Sequence, residues 1–100
     1  MHDFKKLEVW EKSMKLAEDV YAMTQKFQDN EKYGLISQMR RCAVSIPSNI
    51  AERAGRNGDK EFANYLAISP GSAFELETQL LLSARLELVE EKIVKTFLLS

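Results

Sequence analysis

The sequence predicts an all-α fold with one domain spanning residues 1–100, and three observations support this prediction. Proline and glycine are scarce, at two and four of 100 residues, and β-branched residues are few, a composition that is typical of helical proteins. Apolar residues recur at alternating steps of three and four through most of the chain, the spacing of a helix that packs on one face. Turn-forming residues separate these stretches at only a few points.

The first predicted helix covers about residues 3–27, with Asp3 as its N-cap. Its packing face consists of Leu7, Trp10, Met14, Ala17, Tyr21 and Thr24. Further apolar side chains widen this face, so the helix is expected to pack on more than one neighbour. The polar residues 28–30 then predict a turn.

The second predicted helix, about residues 31–55, has two distinct faces. Its apolar face consists of Ile36, Met39, Ala43, Ile46, Ile50 and Ala54. Its polar face consists of Gln38, Arg41, Ser45, Asn49, Glu52 and Arg56. Short hydrogen-bonding side chains in such a row usually have specific partners. We therefore predict a structural polar network of Gln38, Arg41, Ser45, Asn49, Glu52 and, from the third helix, Glu75.

Within this network, Glu75 is predicted to pair with Arg41. The alternative is that carboxylates among Glu52, Glu75 and Glu77 act together as an acid–base pair or as a metal-binding pair. Pairing with a cation is favoured, because a glutamate that faces a bundle interior is usually neutralised in this way.

Pro47 leaves two interpretations of the second helix open. Proline removes one backbone hydrogen bond and crowds the carbonyl of Ala43, at a cost of roughly 3 kcal/mol. Either one helix ends at Ile46 and another begins, with Asn49 and Glu52 as a capping pair, or one kinked helix continues. The apolar spacing continues in phase through Pro47, which favours the kinked helix.

The third helix is predicted to begin at Asp59 and to be interrupted at Pro70 and Gly71. Its seam consists of Phe62, Leu66, Ser69, Ala73, Leu76 and Leu80. After Leu80 the chain has neither glycine nor proline, so the pattern alone predicts one long helix to the end of the chain.

Several motifs in this chain resemble one known family. They are FKKLEVW at residues 4–10, RR at 40–41, SIPSNIAE at 45–52, KEF at 60–62, YL at 65–66, GS at 71–72 and ELETQL at 75–80. Together they resemble the four-helix-bundle proteins encoded in 23S ribosomal RNA intervening sequences. The accessory bundle proteins of diversity-generating retroelements are distantly similar.

The resemblance implies a turn at residues 86–90 followed by a short fourth helix at about residues 91–99. The expected fold is then an antiparallel up-and-down four-helix bundle. The resemblance also implies a ring-shaped homo-oligomer, specifically a pentamer, in a bacterial cell. Self-association is indicated independently by four aromatic residues that exceed what so small a core can bury: Phe27, Tyr33, Tyr65 and Phe74.

The basic residues predict a place where RNA or a partner binds. The candidates are Arg40, Arg53, Arg56 and Lys60, because such side chains contact phosphates. The net charge of −1 and the pI near 5.8 differ from the basic character of dedicated nucleic-acid binders, so any RNA contact must be a local patch. Carboxylates at Glu52, Asp59 and Glu61 lie among these cations, and pairing within or between subunits is the favoured alternative.

No pattern in the sequence predicts catalysis, a metal or a cofactor. His2 is the only histidine and Cys42 the only cysteine, so neither a zinc site nor a histidine-activated nucleophile is expected. No glycine-rich phosphate loop is present. The protein is therefore predicted to be non-enzymatic.

Cys42 also bears on the location of the protein. Beside the apolar face it is predicted to be a small buried hydrophobe, and one cysteine allows no internal disulfide, which fits the cytoplasm. Neither a signal peptide nor a membrane-spanning run is evident.

Two functions stay open. One is an oligomeric bundle that binds RNA or a ribonucleoprotein, and the other is a protein-interaction scaffold without a nucleic-acid role. An enzyme is the least favoured function.

Overall fold

The protein is an all-α bundle in the computed structural model, which describes residues 3–28, 34–56 and 71–99, with only the backbone at 55, 56 and 99. These residues contain a 3₁₀ turn, Phe4–Lys6, and four α-helices. The helices are α1 (Glu8–Thr24), α2 (Leu35–Arg56), α3 (Gly71–Arg85) and α4 (Glu91–Leu99). Helix α1 packs on α2, α2 on α3, and α3 on α4, the neighbour order of an up-and-down bundle. The predicted fold class, including the short fourth helix, is confirmed.

Every helix contributes at least one fully buried apolar side chain to the core. Val20, Met39, Leu80 and Val94 are each at most 2% exposed. They belong to one contiguous cluster that also contains Phe27 and Cys42. Because every helix contributes to its centre, the cluster holds the four helices in one bundle.

The N-terminal end of α1 differs from the prediction. Asp3 caps the 3₁₀ turn, where its Oδ1 accepts from the backbone N–H of Lys5 at 3.2 Å, and α1 begins only at Glu8. Phe4 then stacks edge-on against Trp10, with ring centroids 5.4 Å apart. A second small cluster of Ile50 and Ala54 packs against this aromatic pair. Local aromatic packing thus separates the predicted cap from the helix.

Helix α2 is continuous through Pro47, which confirms the single-helix interpretation. Proline has no N–H to donate to the carbonyl of Ala43. Pro47 is nevertheless buried, as are Ala43 and Ile50 on the core side of the same helix. Burial on both sides of Pro47 offsets the missing hydrogen bond.

A Schellman motif separates α3 from α4. The N–H of Leu88 donates to the carbonyl of Ser83 at 3.0 Å, and the N–H of Glu87 donates to the carbonyl of Ala84 at 3.0 Å. Glu87 has φ of +60°, the left-handed conformation that this motif requires. The uninterrupted helix predicted from the pattern is therefore wrong, and the turn that the resemblance implied is confirmed.

The predictions for Asp59 as an N-cap and for an interruption at Pro70 lie outside the described residues. The same is true of the seam at Phe62, Leu66 and Ser69. Within the described ranges, the structure has no helix that is both long and apolar enough to cross a membrane.

Candidate functional site

The polar face of α2 meets α3 through small side chains. The hydroxyl of Ser45 donates to the carbonyl of Cys42 at 2.6 Å, and its oxygen lies 3.0 Å from Ser72 Oγ on α3. The Cys42 thiol donates to the carbonyl of Ser72 at 3.0 Å. Ser45, a member of the predicted polar network, therefore contributes to the α2–α3 contact.

The Cys42 thiol is kept protonated by its surroundings. Burial raises its pKa, and the negative charge of Glu75 raises the pKa further, while the N–H of Leu76 opposes this effect. A protonated thiol is a poor nucleophile. The structure thus agrees with the prediction that Cys42 is a buried packing residue.

The remaining members of the predicted polar network are mostly exposed to solvent. Gln38, Arg41 and Glu75 are exposed, and Asn49 is half-buried. Among the described residues no ion pair joins Arg41 to Glu75. Glu52 is exposed but has interactions of its own. Of the predicted network, the structure shows the hydrogen bonds of Ser45.

Arg40 is bound by the last turn of α1. Its Nε donates to Thr24 Oγ1 at 2.9 Å, and an Nη donates to the carbonyl of Tyr21 at 3.3 Å. The guanidinium carbon lies 4.4 Å from the centroid of the Tyr21 ring, within the range of a cation–π interaction. A cation at this position also faces the negative end of the α1 dipole. Arg40 therefore helps to dock α2 on α1.

Arg40 does not share one patch with Arg53, the other candidate cation whose side chain the structure describes. Arg40 and Arg53 are 13 residues apart on α2, which separates them by about 20 Å along the helix axis. Arg53 is exposed and has interactions of its own. The side chain of Arg56 and the whole of Lys60 lie outside the described residues. The binding role of these four residues stays a prediction.

The exposed apolar surface of α3 was only partly visible in the sequence. Phe74 is 63% exposed, as expected for an aromatic residue in excess of the core, whereas Phe27 is buried at 7%, so its inclusion in that excess is wrong. Tyr33 and Tyr65 lie outside the described residues. Leu81 and Leu82 are also exposed, at 45% and 44%. At helical steps of three and four these two leucines have the polar residues Glu77, Thr78 and Arg85 as neighbours, and this was a signal that could have revealed them.

Within the described ranges, no three or more His, Cys, Asp and Glu side chains lie together so that they could hold a metal ion.

A family model described as 23S rRNA-intervening sequence protein matches residues 5–99. The chain belongs to this family. No curated protein matches it.

Membership in the 23S rRNA-intervening sequence protein family agrees with the geometry above. The matched residues include α1 entirely and extend to the last residue of α4. The resemblance that the sequence motifs indicated is thereby confirmed. Because the match spans the bundle as a whole, it identifies the fold and the family but assigns no activity to any side chain.

Proposed function

We propose that this 23S rRNA-intervening sequence protein is a non-enzymatic helical bundle that assembles into a homo-oligomer, a pentamer by family resemblance, and binds RNA or a ribonucleoprotein in the cytoplasm. The observation that carries the proposal is the row of exposed apolar side chains on α3. Phe74, Leu81 and Leu82 are 44–63% exposed, and such a surface is typical of protein–protein contact.

Assembly also explains how a weakly charged chain binds RNA. With a net charge of −1, one copy offers few cations to RNA, and the proposed local patch consists of Arg53, Arg56 and Lys60, which lie close together in the sequence. An oligomer presents the patch several times, and linked sites increase overall affinity by factors of 10²–10⁴ without any new contact. The patch includes the C-terminal end of α2, where the carbonyl groups of the last turn favour cations.

Binding to ribosomal RNA at two salt concentrations, with molar mass followed by light scattering, tests both parts of the proposal. The wild-type protein is expected to be a defined oligomer whose RNA affinity falls steeply with salt. Each phosphate contact contributes about 0.7–0.9 to the slope of log affinity against log salt. The triple variant Arg53→Gln, Arg56→Gln, Lys60→Gln should lower that slope by about 2.

Arg41→Gln is the matched control, because Arg41 is an exposed arginine on the same helix, about 18 Å along the axis from Arg53. A specific patch predicts that this variant leaves the slope nearly unchanged, well below the loss of about 0.7–0.9 that removal of one phosphate contact causes. Equal losses in the control and in the triple variant would contradict the patch.

A protein-interaction scaffold is the second candidate, and the geometry of Arg40 favours it. This cation contacts Thr24 and Tyr21 within the chain and is therefore unavailable to phosphate without breaking the α1–α2 contact. A defined oligomer that does not bind RNA even at low salt would support the scaffold and reject the RNA function.

A further inference from the structure

The turn between α3 and α4, residues 86–90, has a conformation that its sequence does not favour. Glu87 adopts φ of +60°, which is strained for a glutamate and natural only for glycine. After Gly71 the chain contains no further glycine and no proline, so every residue of the turn is compatible with a helix. The turn is therefore a point at which α3 and α4 can join into one straight helix.

The buried faces of the two helices are in phase across this turn. Val94 of α4 follows Ser83 of α3 by 11 residues and Leu76 by 18. These separations are three and five turns of an α-helix to within about 20°. All three side chains are at most 3% exposed. A straight helix therefore places the buried residues of both halves on one side.

The sides on which α3 and α4 meet each other are in phase as well. A depression between the two helices separates their outer surfaces. Its lining includes two residues of α3 and three of α4: Leu81, Ala84, Glu91, Lys95 and Leu98. With Leu88 of the turn, these residues recur at alternating steps of three and four, the spacing of one helix face. The contact side of α3 thus continues into that of α4 when the turn is straightened.

The length of the turn preserves the register of this contact. Helix α3 ends at Arg85 and α4 begins at Glu91, so Leu88 lies three residues from each. Two straight helices that run antiparallel, with a two-fold axis at Leu88, bring Arg85 of one copy level with Glu91 of the other. The same two residues flank the turn within one chain.

We propose that two copies of this chain exchange α4 and form a swapped dimer. Residues 86–90 become helical, and the α4 of each copy occupies in the other copy the place that it holds in its own bundle. The place is complementary to an identical helix, so a second copy is the occupant, and its Val94 fills the core. The exchange goes beyond the proposed function and does not depend on it, because it reuses contacts within a bundle.

The turn decides the balance between the two forms, because the contacts within each bundle are common to both. The swapped dimer relieves the backbone of Glu87 and adds helical hydrogen bonds at residues 86–90. Against this, Val89 leaves its position on the core, the exposed Glu87 and Glu90 approach their copies near the axis, and two molecules lose translational freedom. The dimer is therefore expected to accumulate at high protein concentration, after α4 has been released.

Crosslinking between two cysteine variants tests the exchange in the full chain. Leu81→Cys and Lys95→Cys are prepared separately, each with Cys42→Ser so that no native thiol reacts. Residues 81 and 95 are seven positions before and after Leu88 and line the same depression. The two variants are unfolded together in urea, refolded at high concentration and treated with a short bismaleimide. A mixed product of the two variants, identified by mass, is expected.

The same variants, refolded separately and then mixed, are the first control. Each folded copy keeps its own α4, so the mixed product should be lost. Equal yields from the two procedures would assign the product to a contact between folded bundles and overturn the exchange. Absence of the mixed product after joint refolding would overturn it too.

Glu91→Pro, added to both cysteine variants, blocks the straight helix while sparing the turn. Proline is tolerated at the first position of a helix, which Glu91 holds in α4. Inside a straight helix it should lower the yield of mixed product by a factor of about 100. Glu91→Ala is the matched control, since alanine fits both forms, and it should keep the yield. Equal yields from these two variants would contradict the exchange.

Glu87→Gly provides an independent variant that leaves α4 unchanged. Glycine relieves the turn and weakens the straight helix, so the yield should fall by about tenfold. An unchanged yield would show that Glu87 does not control the exchange and would overturn the role given to the turn.

Light scattering on the wild-type protein separates the exchange from the proposed function. A defined oligomer whose cysteine variants give no mixed product after joint refolding overturns the exchange and leaves the proposed assembly standing. A monomer at low concentration whose variants give the mixed product at high concentration overturns the proposed assembly and leaves the exchange standing.

Discussion

Two places in this bundle contradict the local helix propensity of the sequence in opposite ways. They are Pro47, within α2, and Glu87, shortly after the end of α3. At Pro47 the sequence contains the strongest helix breaker, yet α2 continues from Leu35 to Arg56. At Glu87 the sequence contains no glycine or proline, yet α3 ends and the backbone adopts φ of +60°. Local propensity is thus overruled in both directions.

The difference teaches that packing on either side of a residue decides whether a helix continues. Residues before and after Pro47, such as Ala43 and Ile50, are buried, so ending the helix would remove apolar side chains from the core. After Glu87, by contrast, Leu88 packs on the core and Val94 is 1% exposed. Those side chains reach the core only if the chain reverses direction.

The largest expected effect comes from removing the anchor of the reversed segment. Val94→Asp places a carboxylate at a fully buried position and should lower the free energy of unfolding by on the order of 4 kcal/mol. Urea denaturation measures this change. Once α4 is released, residues 86–90 are expected to join α3, as the local pattern predicts, and the Cα chemical shift of Glu87 should become helical.

Ile93→Asp is the control for that variant, because the neighbouring Ile93 is 38% exposed. It should cost at most about 1 kcal/mol. Similar losses for the two variants would mean that α4 is not held through Val94.

Pro47→Ala should stabilise the protein by about 1–2 kcal/mol, measured as the free energy of unfolding in urea. The substitution restores the hydrogen bond to the carbonyl of Ala43 and removes the ring from the helix, a gain of roughly 3 kcal/mol. Part of this gain is lost because alanine buries less apolar surface and leaves the unfolded chain more flexible. A destabilised variant would show that the packing of α2 needs the proline ring.

The first half of α2 is attached to α1 through Arg40. Arg40→Gln should lower the free energy of unfolding by about 1–2 kcal/mol, because it removes charge-assisted hydrogen bonds to Thr24 and Tyr21. Arg41→Gln, one residue away and exposed, should change it by no more than about 0.5 kcal/mol. Thermal unfolding of the two variants side by side measures the difference. The reverse order would contradict the docking role of Arg40.

The smallest effect concerns the turn itself. Glu87→Gly should stabilise the protein by about 0.5–1 kcal/mol, because a left-handed conformation costs a non-glycine residue roughly 1–2 kcal/mol and glycine almost nothing. Glu90→Gly, at a residue with negative φ, should give no such gain. Equal unfolding midpoints for Glu87→Gly and the wild type would indicate that Glu87 makes a compensating contact.

The sequence was a better guide to the helices than to the site. The periodicity of the apolar residues predicted α1, and its phase through Pro47 predicted that α2 continues. The roles of the neighbouring residues Arg40 and Arg41 were harder to predict. The polar face of the second helix suggested a partner within the chain for Arg41, while Arg40 was assigned to RNA binding. In the structure Arg40 contacts Thr24 and Tyr21, and Arg41 is exposed. A rotation of 100° between adjacent residues changes the neighbour completely, and only the placement of α1 shows which residue meets it.

The sequence by itself determined that this chain is helical, which faces of α1 and α2 are apolar, and which family it belongs to, because these properties depend on residue type and spacing. The tertiary structure decided where α3 ends and which arginine docks on α1. Each of these depends on contacts between residues far apart in sequence, such as Val94 with the central core, and their energies exceed the local preferences that a sequence pattern records.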